Sequence, residues 1–153
     1  MNNISLNVSS LDKDFLKTVY SCNKKILVVW ALDCALRVLP YFENDFPNDS
    51  RPKEALDKLE VYVKRGDFKM SDIRQASLNA HASAREVGKE NAASFAARSA
   101  GQAVASAHVS SHSMTASLYA LKAVASASDN DNQQIEEERS WQIHHLNFLK
   151  KAV

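Results

Sequence analysis

Residues 91–128 contain only two charged side chains, Arg98 and Lys122, in a stretch made mostly of Ala and Ser. A helix that meets water along one face ordinarily carries charge there, whereas a membrane-spanning helix is continuously apolar. The segment fits neither pattern, so it predicts the tightly packed centre of an all-helical protein. Small side chains let helix axes approach to the near end of the usual range of about 8–10 Å, which leaves little room for an internal cofactor.

The composition favours a single soluble domain over residues 1–153, in which the polar residues 1–9 form a flexible N-terminal segment. Three Gly and three Pro are too few for a β-sandwich or a barrel. With a net charge of +1 and no apolar run near the ~20 residues of a membrane span, we expect neither a nucleic-acid nor a membrane partner. Cys22 and Cys34 lack metal-ligand spacing, which indicates free thiols in a cytoplasmic protein.

Helical periodicity and capping residues predict a bundle of about five to seven helices. The first helical pattern runs from an N-cap at Ser10 to about residue 46, and the polar stretch 21–25 leaves open whether one helix or two occupy it. Pro40 should kink or end that pattern, because proline removes a backbone donor. Three further helices are predicted. One begins at Pro52 and ends at Gly66, and the next is capped by Ser71 and ended by Gly88. The last is capped by Asp131 and spans about residues 132–151.

The central segment is too long for one straight helix. Residues 90–127 would span roughly 55 Å at about 1.5 Å per residue, whereas a compact chain of this length has a radius of gyration of about 15 Å. We therefore expect a break or a reversal of the chain near Gly101 or around residues 109–111.

Counting by three and four along this segment places a polar stripe on one helix face, if the helix is continuous. The stripe consists of Arg98, Gln102, Ala105, His108, His112, Thr115, Tyr119 and Lys122. Buried groups of this kind need partners, because an unpaired buried charge costs several kcal/mol. The partners available elsewhere are Asp33, Arg37, Glu43, His81, Arg85 and Glu86. We favour a hydrogen-bonded network that fixes helix register over a chemical site.

A metal site is the sharper alternative. His108 and His112 have the i, i+4 spacing that lets two imidazoles meet one zinc ion or another divalent transition metal, with His81 as a third ligand. The residues between them include no Glu, so this is not the metalloprotease motif, and residues 91–128 contain no Asp or Glu. We therefore expect no cofactor, and we expect Cys34 to be a packing residue and not a nucleophile.

Seven short strings occur in an order that resembles one protein family. They lie at residues 30–40, 51–52, 80–85, 97–101, 107–112, 119–123 and 141–142, and read WALDCALRVLP, RP, AHASAR, ARSAG, AHVSSH, YALKA and WQ. Together they resemble a family of all-helical bacterial immunity proteins associated with polymorphic toxin or bacteriocin-type systems, over about residues 24–148.

The resemblance implies a toxin–antitoxin relationship, in which the protein binds a cognate protein toxin in the bacterial cytoplasm and neutralises it without catalysis. The matching positions, which we treat as a functional or structural polar network, are Asp33, Arg37, His81, Arg85, Arg98, His108, His112, Tyr119 and Lys122, together with Trp141. The family often carries His where this chain has Gln102, which lowers the expectation of a metal cluster.

Two further expectations concern partners. Exposed aromatic side chains are typical anchors of protein interfaces, so Tyr41, Tyr62 and Trp141 are candidate contacts for the toxin. An exposed Ala-rich face would equally suit a homodimer. The alternative function is a helical protein with an internal metal or small-ligand site built on His81, His108 and His112.

Overall fold

A computed structural model of the chain describes residues 13–152, and all regular elements in that range are α-helices. They are α1 (Lys13–Ser21), α2 (Lys24–Glu43), α3 (Arg51–Arg65), α4 (Met70–Glu86), α5 (Ala92–Ala105), α6 (His112–Ala127) and α7 (Asn132–Lys151). The predicted all-α class is confirmed, with a helix number at the upper end of the expected range. The predicted segment 1–9 and the N-cap at Ser10 lie outside the described residues.

The N-terminal helical pattern is two helices, because the chain leaves the helical conformation between α1 and α2. The side chain of Asn23 accepts a hydrogen bond from the backbone N–H of Ile26 and thereby caps α2. Pro40 lies inside α2, so the helix ends later than the proline suggested. A proline this close to a helix end removes only one hydrogen bond, and the buried Phe42 holds the last turn in the core.

Both ends of α3 follow the sequence signals, but the start of α4 does not. Pro52 lies in the first turn of α3, and Gly66 ends it with a φ of 79°, a left-handed conformation that glycine adopts readily. The prediction that Ser71 caps α4 is wrong, because the backbone is already helical there and the extended Lys69 occupies the cap position. At its other end, α4 stops just before Gly88, as expected.

The chain reverses between α5 and α6, over residues 106–111. The second of the two expected break points is therefore confirmed, whereas a break at Gly101 is wrong, since Gly101 lies inside α5. The hydroxyl of Ser99 donates a hydrogen bond to the carbonyl of Ala116 at 2.9 Å, near the start of α6. The two helices thus form an antiparallel hairpin that halves the length of the predicted segment.

The hairpin packs through faces of small side chains. Its fully buried alanines include Ala96, Ala97, Ala100 and Ala103 on α5 and Ala116, Ala120 and Ala123 on α6. α5 and α6 contact each other along their length, and α2 contacts both. The Ala-rich faces are covered within the chain, so they do not present the exposed face that suggested a homodimer.

Trp30 and Gln142 join α2, α6 and α7 in the core. The indole N–H of the fully buried Trp30 donates to the backbone carbonyl of Gln142 at 2.9 Å. The side-chain amide of Gln142 in turn donates to the carbonyl of Ser117 on α6 at 2.9 Å. These buried polar groups therefore have partners, which is the condition under which such groups are tolerated in a core.

A charged cluster around Arg51 attaches the α2–α3 loop to α4. The carboxylate of Asp49 accepts hydrogen bonds from the Arg51 guanidinium at 2.8 and 2.9 Å and from the Ser83 hydroxyl at 2.8 Å. Arg51 also pairs with Glu86 on α4. Hydrogen bonding to Arg51 is the main reason that the pKa of Asp49 falls to about 2.

The low pKa of Asp49 predicts a pH-dependent stability. A carboxyl group with a depressed folded-state pKa stabilises the fold above its unfolded value of about 3.9, and this contribution disappears as the pH falls through the folded value. We expect Asp49→Asn to lower the free energy of unfolding by about 1–2 kcal/mol at neutral pH, and the difference from wild type to close between about pH 4 and about pH 2. Denaturation measured across this pH range tests the prediction. Asp57→Asn at an exposed ion pair is the control, and an equal loss there would contradict the role of Asp49.

Trp30→Phe should be among the most destabilising single changes in the core. The substitution removes the indole donor to the Gln142 carbonyl and opens a cavity, which together cost about 2–4 kcal/mol. Urea denaturation measures this loss, and Tyr20→Phe at a largely exposed position should stay within ~0.5 kcal/mol of wild type. If Trp30→Phe also stayed within ~0.5 kcal/mol of wild type, the hydrogen bond to Gln142 would not support the core.

Candidate functional site

The predicted polar stripe does not run along a single helix. Its residues are divided between two helices that face each other and the connection between them. Arg98, Gln102 and Ala105 are on α5, His108 is in the connection, and His112, Thr115, Tyr119 and Lys122 are on α6. All are half-buried or exposed, so the expectation of a buried stripe is wrong. Close packing places the small side chains on the inner side of the hairpin, and the larger polar groups are consequently left on its outer side.

A cavity of about 260 Å³ lies between α4 and the outer side of the hairpin. It brings together His81 from α4, Gln102 from α5, His112 from the start of α6 and His108 from the connection. The other lining residues are Met70, Ile73, Arg74, Ser77, Leu78 and Ala105. We call these ten residues the histidine pocket. On the α4 wall only His81 was predicted from the sequence, although Met70, Arg74 and Ser77 share its helix face at three-to-four spacing.

The imidazole of His81 packs against Gly101. A Cβ atom at Gly101 would lie 2.8 Å from Nε2 of His81, so the glycine makes room for the ring. Nδ1 of His81 is buried and has no hydrogen-bond partner among the described residues. Burial lowers the pKa of His81, and the charges of Arg98, Arg85 and His112 lower it further. The ring is therefore neutral at neutral pH.

His112 is held by the side chain of Gln102. Its Nδ1–H donates to Oε1 of Gln102 at 2.7 Å, across the hairpin. This hydrogen bond fixes one tautomer and leaves Nε2 as the ring atom that takes up a proton. Burial lowers the pKa of His112, and the neighbouring His108 lowers it further.

The three histidines share the pocket, but they do not form a metal site. Within residues 13–152, no three His, Cys, Asp or Glu side chains lie close enough together to hold one metal ion. A zinc or other divalent metal site on His81, His108 and His112 therefore lacks the ligand geometry that it requires. The physical reason is the reversal after α5, which places His108 on an exposed connection and removes the helical i, i+4 relation to His112.

Both cysteines are free thiols. Cys34 is fully buried in the core, and burial raises its pKa well above the ordinary value for a thiol. A protonated, inaccessible thiol is not a nucleophile, so Cys34 is the packing residue that its place in the apolar pattern predicted.

The surroundings of the histidine pocket are cationic. Arg74 lines the pocket, and Arg85 and Arg98 lie close enough to lower the pKa of His81. None of these arginines forms an ion pair with an Asp or Glu in the described part of the chain. No acidic residue lines the pocket, and Leu78 on its wall is 54% exposed. Unpaired cations beside an exposed apolar side chain are suited to contact with an acidic partner.

Asp33 and Arg37 belong to a second cluster, which joins α2 to α7. Asp33 accepts a hydrogen bond from Nε2–H of His145 at 2.7 Å, and Arg37 donates two hydrogen bonds of 2.8 Å to Glu138. The Arg37 guanidinium also lies 3.9 Å from the centroid of the Trp141 ring. In this α2–α7 network each charged side chain has a hydrogen-bond partner on the facing helix. The expected pairing of Asp33 and Arg37 with the polar stripe is therefore wrong.

Two α7 members of this network, Glu138 and His145, were not predicted from the sequence. Glu138 is 101 residues from Arg37 in sequence and His145 is 112 residues from Asp33, which no local periodicity relates. A signal was nevertheless present: Glu138, Trp141 and His145 are spaced along one face of α7, and Asp33 and Arg37 are spaced along one face of α2. Two helices whose charges complement each other in this way are candidates for pairing.

The remaining predicted residues lie outside the histidine pocket. On the outer side of the hairpin, the Lys122 ammonium lies 5.3 Å from the centroid of Tyr119. Tyr41 and Trp141 are half-buried against the core, and Tyr62 is half-buried beside Phe68 with ring centroids 5.2 Å apart. A role of Tyr41, Tyr62 and Trp141 in partner binding stays a prediction.

The profile of the family described as Imm-5 like putative immunity protein matches residues 17–148. The chain belongs to this family. The matched range includes both the histidine pocket and the α2–α7 network. No curated protein and no solved structure gives a match. In the part of this immunity-family protein that the structure describes, no helix is long and apolar enough to cross a membrane.

The contact between Gly101 and His81 predicts that substitutions at the two positions are coupled. In the interior of a helix Ala is more favourable than Gly by about 1 kcal/mol, but in the wild-type chain a Cβ at Gly101 meets the His81 ring and should offset that gain. In the His81→Ala background, Gly101→Ala should therefore stabilise the protein by up to about 1 kcal/mol. A double-mutant cycle by urea denaturation measures the coupling. Additive effects would mean that the ring moves aside without cost.

Proposed function

We propose that this protein confers immunity by binding a cognate protein toxin and covering its active surface, without catalysing a reaction. Membership of the immunity family supports the general role. The observation that carries the binding mode is the set of arginines around the histidine pocket, which have no carboxylate partner in the described part of the chain. Such a surface favours a toxin with an acidic patch.

The contrast with other arginines supports this assignment. Arg37 pairs with Glu138, and Arg51 pairs with Asp49 and Glu86, so those guanidinium groups hold helices together. Within residues 13–152, the arginines around the pocket form no ion pair that holds two helices together. Exposed apolar side chains lie beside them, among them Met70 and Leu78. A stable interface of about 800 Å² per partner would extend from the pocket over the outer sides of α4 and the hairpin.

A small-ligand site in the same pocket is the second candidate function. The cavity favours it only for a small group, because about 260 Å³ lies below the roughly 300–1,000 Å³ of ordinary ligand sites. A metal-dependent version lacks three suitably placed ligands within residues 13–152. A homodimer also stays a prediction, which light scattering of the purified protein would test.

The direct experiment uses a toxin encoded beside this chain in a bacterial genome. Co-expression should restore growth of cells that produce the toxin, and the purified proteins should form a stable complex in which the toxin keeps its mass and sequence. Chemical modification or cleavage of the toxin would contradict a non-catalytic role. Failure of the purified pair to associate would contradict the binding mechanism itself.

Charge reversal around the pocket should weaken the complex. Arg98→Glu and Arg74→Glu each replace a cation that faces the proposed acidic patch with a like charge, and we expect the dissociation constant to rise at least about tenfold. Lys17→Glu on the exposed side of α1 makes the same change in net charge away from the pocket and should alter affinity less than about twofold. Isothermal titration calorimetry measures all three. If Lys17→Glu and Arg98→Glu raised the dissociation constant equally, the toxin would bind elsewhere or would respond only to the net charge of the protein.

A further inference from the structure

The lining of the histidine pocket divides into an apolar part and a polar part. The apolar walls are Met70, Ile73, Leu78 and Ala105, and the polar groups are Arg74, Ser77, His81, Gln102, His108 and His112. A glutamate side chain has the same division, since an apolar stem carries a carboxylate head. A cavity of about 260 Å³ is large enough for one side chain of this kind and too small for a cofactor.

Two ring nitrogens of the pocket histidines make no hydrogen bond in the described part of the chain. Nδ1 of His81 is buried without a hydrogen-bond partner in the described chain. Nδ1–H of His112 is engaged by Gln102, so a proton added to this ring goes to Nε2 and turns that atom into a donor. A carboxylate beside these rings would supply the acceptor that each protonated nitrogen requires.

We propose that the histidine pocket binds a single carboxylate, an acidic side chain presented by the toxin, and that this carboxylate binds together with a proton taken up by the pocket histidines. The identity of the partner rests on the proposed function. The chemistry of the pocket does not, because it follows from the lining residues alone.

The proton uptake follows from the charges that face the histidines. His81 faces Arg85 on its own helix, Arg98 on α5 and His112 on α6, while His112 faces His108 and the uncharged Gln102. Burial and this excess of positive charge oppose protonation in the free protein. A bound carboxylate reverses the balance, so the histidine pKa values rise on binding and protons are taken up between the free and the bound values. Affinity therefore declines as the pH rises from the free to the bound values, by up to about tenfold per pH unit for one coupled proton.

The probe for the experiment is N-acetylglutamate α-amide, which presents one carboxylate on an otherwise neutral molecule. Imidazole carbon–proton NMR signals report the pKa of each histidine in the full-length protein as the probe is added. We expect the signals of His81 and His112 to shift and their pKa values to rise, with tighter binding at pH 6 than at pH 8. The isosteric N-acetylglutamine α-amide lacks the charge and should change neither the signals nor the pKa values of His81 and His112.

Two variants and one control locate the binding. His112→Gln removes the protonatable ring, and Arg74→Gln removes an exposed charge without affecting the core, so each should weaken probe binding at least about threefold. His144→Gln, at an exposed position on α7, should leave it unchanged. Binding that does not depend on pH, or that His112→Gln and Arg74→Gln leave unaltered, would overturn the proposal. Tighter binding of inorganic phosphate through the same residues would also overturn it, in favour of a free-anion site.

Failure of this inference can be separated from failure of the proposed function. Probe binding without any toxin complex would retain the carboxylate site and remove the toxin. A toxin complex that His112→Gln and Arg74→Gln leave equally tight at every pH would retain the immunity role and remove the pocket from the interface.

Discussion

At Gly101 the backbone of α5 lies so close to α4 that the His81 ring occupies the space of a side chain. The hydroxyl of Ser77 donates to the carbonyl of Gly101 at 2.9 Å, and the hydroxyl of Ser99 donates to the carbonyl of Ala116 on α6 at 2.9 Å. Side chains of one helix reach the backbone of the next in this way only where the facing residue is small. The Ala- and Ser-rich composition of residues 91–128 is therefore a packing requirement, and the other features of the structure follow from it.

One consequence is a separation of the polar groups by function. Because the inner side of the hairpin accepts only small side chains, its larger polar residues lie on the outer side, where water reaches them. The charged groups of α2 and α7 form a separate network, in which Arg37 meets Glu138 and Asp33 meets His145. The α2–α7 network is satisfied within the chain and fixes how α7 docks, whereas the arginines around the histidine pocket form no ion pair in the described part of the chain.

The same packing gives the pocket its electrostatic character. His81 is pressed against α5 and His112 is tied to Gln102, so both rings are partly shielded from water, and the pKa of each falls. The free protein therefore holds uncharged imidazoles inside a cationic surround at neutral pH. An arrangement of this kind responds to an incoming negative charge by taking up protons, which links the shape of the hairpin to the proposed preference for an acidic side chain.

Local signals in the sequence were sufficient for the all-helical class and for several helix ends, since periodicity, Gly66, Gly88 and the cap at Asp131 act within a few residues of where they lie. They also predicted the family and most of the polar residues. They did not decide which polar residues meet. Whether His108 is a helical neighbour of His112 depends on where the chain reverses, and whether Asp33 pairs with the stripe or with His145 depends on which helix docks against α2. Those outcomes were decided by tertiary packing, because the small-residue faces of α5 and α6 bury more apolar surface against each other and α2 than one extended helix could.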